Sequence, residues 1–161
     1  MTSRPTSKSR KSPADEVEFP LAESSGFLVR DANRAFQRLL EKRIAPYGVA
    51  RGQWYFLRVL WTEDGLSQRE LSARVGTMEP TTVIALRSME KSGLVRRVRS
   101  RDDKRRSQVW LTPKAERLRN ELLAIARGIT DAAEQGISRD ELALFRRLIR
   151  RMTVNLDKLS T

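Results

Sequence analysis

The stretch between Leu66 and Pro113 carries start and stop signals too closely spaced for many folds to satisfy. Ser67 and Glu70 stand three apart, so the hydroxyl of one and the carboxylate of the other can each take the other's orphan backbone N–H. Leu66 and Leu71 flank this box where a hydrophobic staple would sit, and Gly76 supplies a stop. A short helix over 67–75 follows. Pro80 opens a second helix, over 80–91, because its missing N–H costs nothing in a first turn. Thr82, Leu86 and Met89 define one face of that helix, and Gly93 ends it. Residues 94–100 and 107–112 then alternate with period two around a polar tip, which predicts a β-hairpin. Thr112 and Pro113 are the cap and first residue of another helix.

The flanking segments are helical. Over 27–44, Val29, Ala32, Ala35, Phe36, Leu39, Leu40 and Ile44 make an apolar stripe, while Arg30, Arg34 and Arg38 form a ridge at every fourth position. Residues 53–61 are apolar nearly all round, which predicts a buried helix. Leu118, Leu122, Ile125 and Ile129 continue the helix begun at Pro113, with Gly128 and Gly136 leaving its end open. Ser138 and Glu141 form a second capping box. The last helix carries Leu142, Phe145, Leu148, Ile149, Met152, Leu156 and Leu159, more apolar positions than one small domain can cover. The order helix, short helix, helix, arginine-rich hairpin is that of a winged helix-turn-helix. The expected class is therefore mainly α with a small β-hairpin wing (α+β), joined to a helical dimerisation region. The expected division is a disordered basic tail over 1–20, a helical dimerisation region over 21–49 and 113–161, and the winged domain over 50–112.

Composition narrows the chemistry. The 161 residues contain no cysteine and no histidine. Disulfides, thiolate metal sites, cysteine nucleophiles and thiol redox sensing are excluded, and imidazole is missing as a base or a zinc ligand. No carboxylate cluster suggests an alternative, so neither an enzyme nor a metal or cofactor is expected. No apolar run is long enough to span a bilayer, and a soluble cytoplasmic protein that does not engage membranes is expected. The net charge of +12 calls for an anionic partner. Twelve of the basic residues and only four acidic ones fall between Arg87 and Arg119. That places the excess on the hairpin, where double-stranded DNA is the expected partner and a merely solvated surface the other reading.

The sequence here resembles the MarR family of bacterial transcription regulators. The resemblance rests on Leu66-Ser67-Gln68-Arg69-Glu70-Leu71, on Met89-Glu90-Lys91-Ser92-Gly93-Leu94-Val95-Arg96-Arg97, on Asp103-Lys104-Arg105, and on Val109-Trp110-Leu111-Thr112-Pro113-Lys114. These stand in the family's order and spacing, and the likeness covers about residues 25 to 159. It implies a homodimer on a pseudo-palindromic DNA site, and repression relieved by a small effector. Ser67 and Gln68, at a helix N-terminus, are candidates for phosphate contact. Thr81, Thr82, Ile84, Arg87 and Ser88 are the candidates on the recognition helix, with Arg87 suited to guanine and Ile84 to a thymine methyl. Many family members carry a polar or basic residue where this chain has Ile84. The resemblance makes Arg105 the wing-tip residue, oriented by Asp103, unless the two only pair within the turn. Arg99, Arg101 and Lys104 are phosphate candidates.

Effectors of the family are often aromatic carboxylates or phenols. Phe27, Arg30, Arg34, Tyr47, Trp54 and Tyr55 are the candidates here, since arginine can hold a carboxylate bidentately while aromatics cover a ring. Acyl thioesters suit the arginines equally. Trp54 reads equally well as core, and the arginine ridge as surface or dimer salt bridges. The competing reading of the whole chain is a sequence-tolerant architectural DNA-binding protein.

Overall fold

The computed structural model describes residues 19–99 and 107–160. Six α-helices and three short strands occur among them, in the order α1 Ser25–Ile44, α2 Arg51–Leu60, β1 Leu66–Ser67, α3 Gln68–Val75, α4 Glu79–Lys91, β2 Val95–Arg99, β3 Ser107–Leu111, α5 Pro113–Ala133 and α6 Arg139–Asp157. The residues fall into two compact units, one up to Ala35 and one from Phe36 onward, so the boundary lies within α1. The expected basic tail over 1–20 lies almost wholly outside the described residues.

In the second unit the start signals act as expected. The Ser67 hydroxyl accepts from the Glu70 N–H, and the Glu70 carboxylate accepts from the Ser67 N–H at 2.8 Å. Ser138 and Glu141 repeat this arrangement at α6, and Thr112 caps α5 by accepting from the Ala115 N–H. Gly76 closes α3 with φ +72°, a conformation that costs glycine little. At α5, Gly128 lies inside the helix, which runs on to Ala133.

The core lies between α2, α3, α4, the sheet and α5. Leu57, Leu60, Leu71, Leu86, Met89, Leu94, Val109 and Leu122 are among its fully buried members. Each such side chain contributes about 1.5–3 kcal/mol on burial. Trp54 and Trp61 pack edge to face with ring centroids 6.0 Å apart. The Trp61 indole N–H donates to the Ala115 carbonyl at 3.2 Å, tying α2 to the start of α5.

The expected hairpin is present as β2 and β3, and a third strand joins it. The sheet has three strands in the order β1-β3-β2, all antiparallel, with Leu66 opposite Val109 and Val95 opposite Leu111. β1 is two residues long, too short to show a period in sequence. Asp64 secures its approach. One carboxylate oxygen accepts from the Gly65 N–H at 2.9 Å and from the Leu111 N–H at 3.0 Å. Gly65 itself adopts φ +75°, and a Cβ there would lie 2.6 Å from the Trp110 ring.

A buried amide joins α2 to α4. Gln53 is 3% exposed. Its Oε1 accepts from the Ala50 N–H at 2.9 Å, and its Nε2 donates to the hydroxyls of Ser88 at 2.9 Å and Ser92 at 3.4 Å. The amide therefore satisfies the start of α2 while fixing the far end of α4 against it.

Three outcomes follow from these contacts. Gln53→Ala removes the acceptor of the Ala50 N–H and the links to Ser88 and Ser92, and should lower stability by about 1–2 kcal/mol, read from urea midpoints at fixed protein concentration. Gly65→Ala combines a left-handed backbone with a clash against Trp110 and should cost about 1–3 kcal/mol in the same titration. The Ser138 hydroxyl and backbone N–H hold the Glu141 carboxyl below its ordinary value. A group lowered on folding stabilises fully above its unfolded value and loses that contribution as pH falls through the folded one. Glu141→Gln should therefore flatten the acid limb of a thermal-stability profile from about pH 5 downward.

Candidate nucleic-acid interface

The interface is built outward from the buried face of α4. Thr82, Leu86 and Met89 are fully buried, one turn apart on one side of the helix. The opposite side must then face solvent, and Pro80, Ile84, Arg87 and Lys91 follow one another along it at helical spacing. Thr81 and Ser88 are exposed beside them.

Thr82 requires a correction. It was a candidate for DNA contact, yet its side chain is 0% exposed and its hydroxyl donates to the Met78 carbonyl at 3.3 Å. It packs inward and cannot reach a base edge from there. Ser88 keeps surface exposure, but its hydroxyl is engaged by Gln53. Gln53 had no place among the sequence candidates. A glutamine in an apolar helix was the available signal, because a buried amide demands partners.

Ser67 and Gln68 stand at the N-terminus of α3, both half-buried. The Ser67 hydroxyl and N–H are occupied by the capping box, so what Gln68 and the first turn offer an anion is backbone N–H and helix dipole. On the sheet, Arg97 of β2 pairs with Glu90 of α4 at 3.3 Å, both about one-third exposed. This contact fastens the wing strand to the recognition helix and gives a physical reason for the spacing of those two residues. Arg99 closes β2, and only its backbone placement is described. Arg101, Asp103, Lys104 and Arg105 lie outside the described residues.

The effector candidates separate between the two units. In the first, the Arg30 guanidinium carbon stands 4.7 Å from the Phe27 ring centroid, and Arg34 is exposed one turn on. In the second, Trp54 is buried in the core against Trp61, with Arg58 stacked over it at 5.7 Å. The Tyr47 hydroxyl donates to Glu121 Oε1 at 2.7 Å, and that hydrogen bond to a carboxylate pushes the Tyr47 pKa up. Tyr55 is half exposed, and its hydroxyl accepts from Gln37 Nε2 at 3.0 Å. The Gln37 Oε1 is buried with no hydrogen-bond partner among the described residues. Gln37 was not a sequence candidate, since one polar residue on an amphipathic helix reads as surface.

Among the described residues no group of three or more acidic side chains is placed to hold a metal, and no helix is long and apolar enough to cross a membrane.

Comparison with known proteins agrees with this geometry. The family model described as MarR family matches residues 47–106. The HTH-type transcriptional regulator TtmR of Methylorubrum extorquens (strain PA1) is 35% identical over 96 residues, which are 60% of this chain and 49% of that protein. This chain thus spans about half the length of that curated relative. Among solved structures, a probable transcriptional regulator from Pseudomonas aeruginosa is 31% identical, with a TM-score of 0.74 over 83% of this chain and 99% of the other. The PcaV transcriptional regulator from Streptomyces coelicolor, solved in complex with its natural ligand, is 28% identical, with a TM-score of 0.74 over 86% and 97%. The sequence motifs, the three-stranded wing and these matches lead to one conclusion: the chain belongs to the MarR family of transcriptional regulators and is not an enzyme.

Proposed function

We propose that this chain is a homodimeric, sequence-specific DNA-binding repressor, released from a pseudo-palindromic operator by a small effector. The observation that carries the DNA reading is the orientation of α4. Burial of Thr82, Leu86 and Met89 turns Pro80, Ile84, Arg87 and Lys91 outward on a helix braced by α3, the arrangement that enters a major groove. The basic excess between Arg87 and Arg119 supplies phosphate contacts beside it.

The dimer reading rests on unpartnered apolar surface. α6 has no buried residue, and Leu144, Phe145 (59% exposed), Leu148, Val154 and Leu156 are open to solvent. α1 separately exposes Leu28, Val29, Phe36 and Leu39. Apolar faces of this extent are normally covered. In this reading 21–49 and 113–161 form the dimerisation region and 50–112 the DNA-binding domain. Leu148→Glu should convert a dimer to monomer in sedimentation velocity and abolish operator binding with it.

The effector reading is an aromatic carboxylate, a phenol or an acyl thioester. Each unit offers candidates by itself: Arg30 and Arg34 supply guanidinium groups beside Phe27 in the first, and Tyr55 supplies a half-exposed aromatic ring in the second. The PcaV regulator, similar in fold, was solved with its natural ligand, and that supports a ligand reading for this chain. Release would follow if the effector favours a wing spacing that does not fit the operator, by about 1–3 kcal/mol of coupling.

Fluorescence anisotropy on a duplex from upstream of the chain's own gene, against a scrambled duplex at two salt concentrations, tests the whole. The expected preference is about 10³ or more. Arg87→Ala should reduce that preference by about ten- to a hundredfold while leaving scrambled binding nearly unchanged. Equal binding to both duplexes with a steep salt slope would favour the architectural reading instead. Arg30→Ala and Arg34→Ala, tested singly against a panel of aromatic acids and their thioesters, should weaken release. Unchanged release in both would remove these residues from the effector site.

A further inference from the structure

The outward stripe of α4 is not uniform. Its first half is apolar: Ile84 is 69% exposed and Pro80 is exposed one turn before it, while Met78, the cap residue ahead of the helix, is 76% exposed. Its second half is cationic, with Arg87 one turn beyond Ile84 and Lys91 one turn beyond that. Of the two acidic residues on the helix, Glu79 lies at its start and Glu90 is paired with Arg97. Among the described residues of 50–112, Tyr55 is the only other large hydrophobic side chain so exposed.

A surface of two or three apolar side chains is too small for a stable protein partner, which needs about 800 Å² on each side. It does fit a groove whose walls are anionic and whose floor offers small apolar groups. On the major-groove edges of the base pairs the C5 methyl of thymine is the one apolar group. Ile84 and such a methyl both lose water on contact, and neither leaves a hydrogen-bonding group unpaired. The same side chain over a G·C edge would cover donors and acceptors it cannot satisfy.

We infer that the N-terminal half of α4 selects thymine through its C5 methyl group, with Ile84 in contact and Met78 and Pro80 completing the apolar side. The inference rests on the reading of α4 as the DNA-facing helix. It divides the work along one helix: methyl contact from the first half, charged contact from Arg87 and Lys91 in the second.

The test removes the methyl and nothing else. The full chain is carried through selection from a random-sequence duplex pool, and the enriched duplex is remade with deoxyuridine in place of each thymine in turn. Uracil keeps every hydrogen-bonding group of thymine. At one or two positions in each half-site the substitution should weaken binding about fourfold, the worth of one buried methyl group. Ile84→Ala, at an exposed site and with its melting temperature checked, should bind the thymine and uracil duplexes alike. If wild-type protein binds every uracil duplex as tightly as its thymine parent, the inference is overturned while specific binding stands. If Ile84→Ala keeps the full preference for thymine, Ile84 is not the reader and the inference is overturned again. If no sequence is enriched at all, the sequence-specific reading fails and this one with it.

Discussion

The orientation of α4 depends on three residues on one side of it. Thr82, Leu86 and Met89 lose all solvent contact, and no rotation of the helix can return them to water without giving up several kcal/mol of burial. Once they point inward, helical geometry alone decides that Pro80, Ile84, Arg87 and Lys91 point outward. The groove-facing surface is therefore a consequence of core packing and needs no separate device to present it.

The elements around α4 hold it at both ends. Gln53 fixes its C-terminal half to α2 through Ser88 and Ser92. Glu90 takes Arg97 from β2, so the wing strand moves with the recognition helix. Asp64 accepts from Gly65 and Leu111 and so joins the approach to α3 to the outgoing strand of the wing. Each contact is a modest one in isolation, about 1 kcal/mol for a neutral hydrogen bond and less for a part-exposed ion pair. Their common effect is geometric. They set the positions of α2, α3, α4 and the sheet relative to one another.

Much of this was legible in the residue order. The capping boxes at Ser67 and Ser138, the Thr112-Pro113 start, the Gly76 stop and the buried stripe of α4 are local, since each depends on residues within one or two turns. The charge excess on the wing and the lack of cysteine and histidine were likewise set by sequence alone. The third strand, the engagement of Ser88 by Gln53 and the unpaired oxygen of Gln37 were not. β1 is two residues long and exists only because β3, some forty residues later, pairs with it. A polar side chain such as Gln53 is buried or exposed according to which distant hydroxyl meets it. Propensity and periodicity are properties of near neighbours, whereas the satisfaction of buried hydrogen bonds belongs to contacts that form only when the chain has closed on itself.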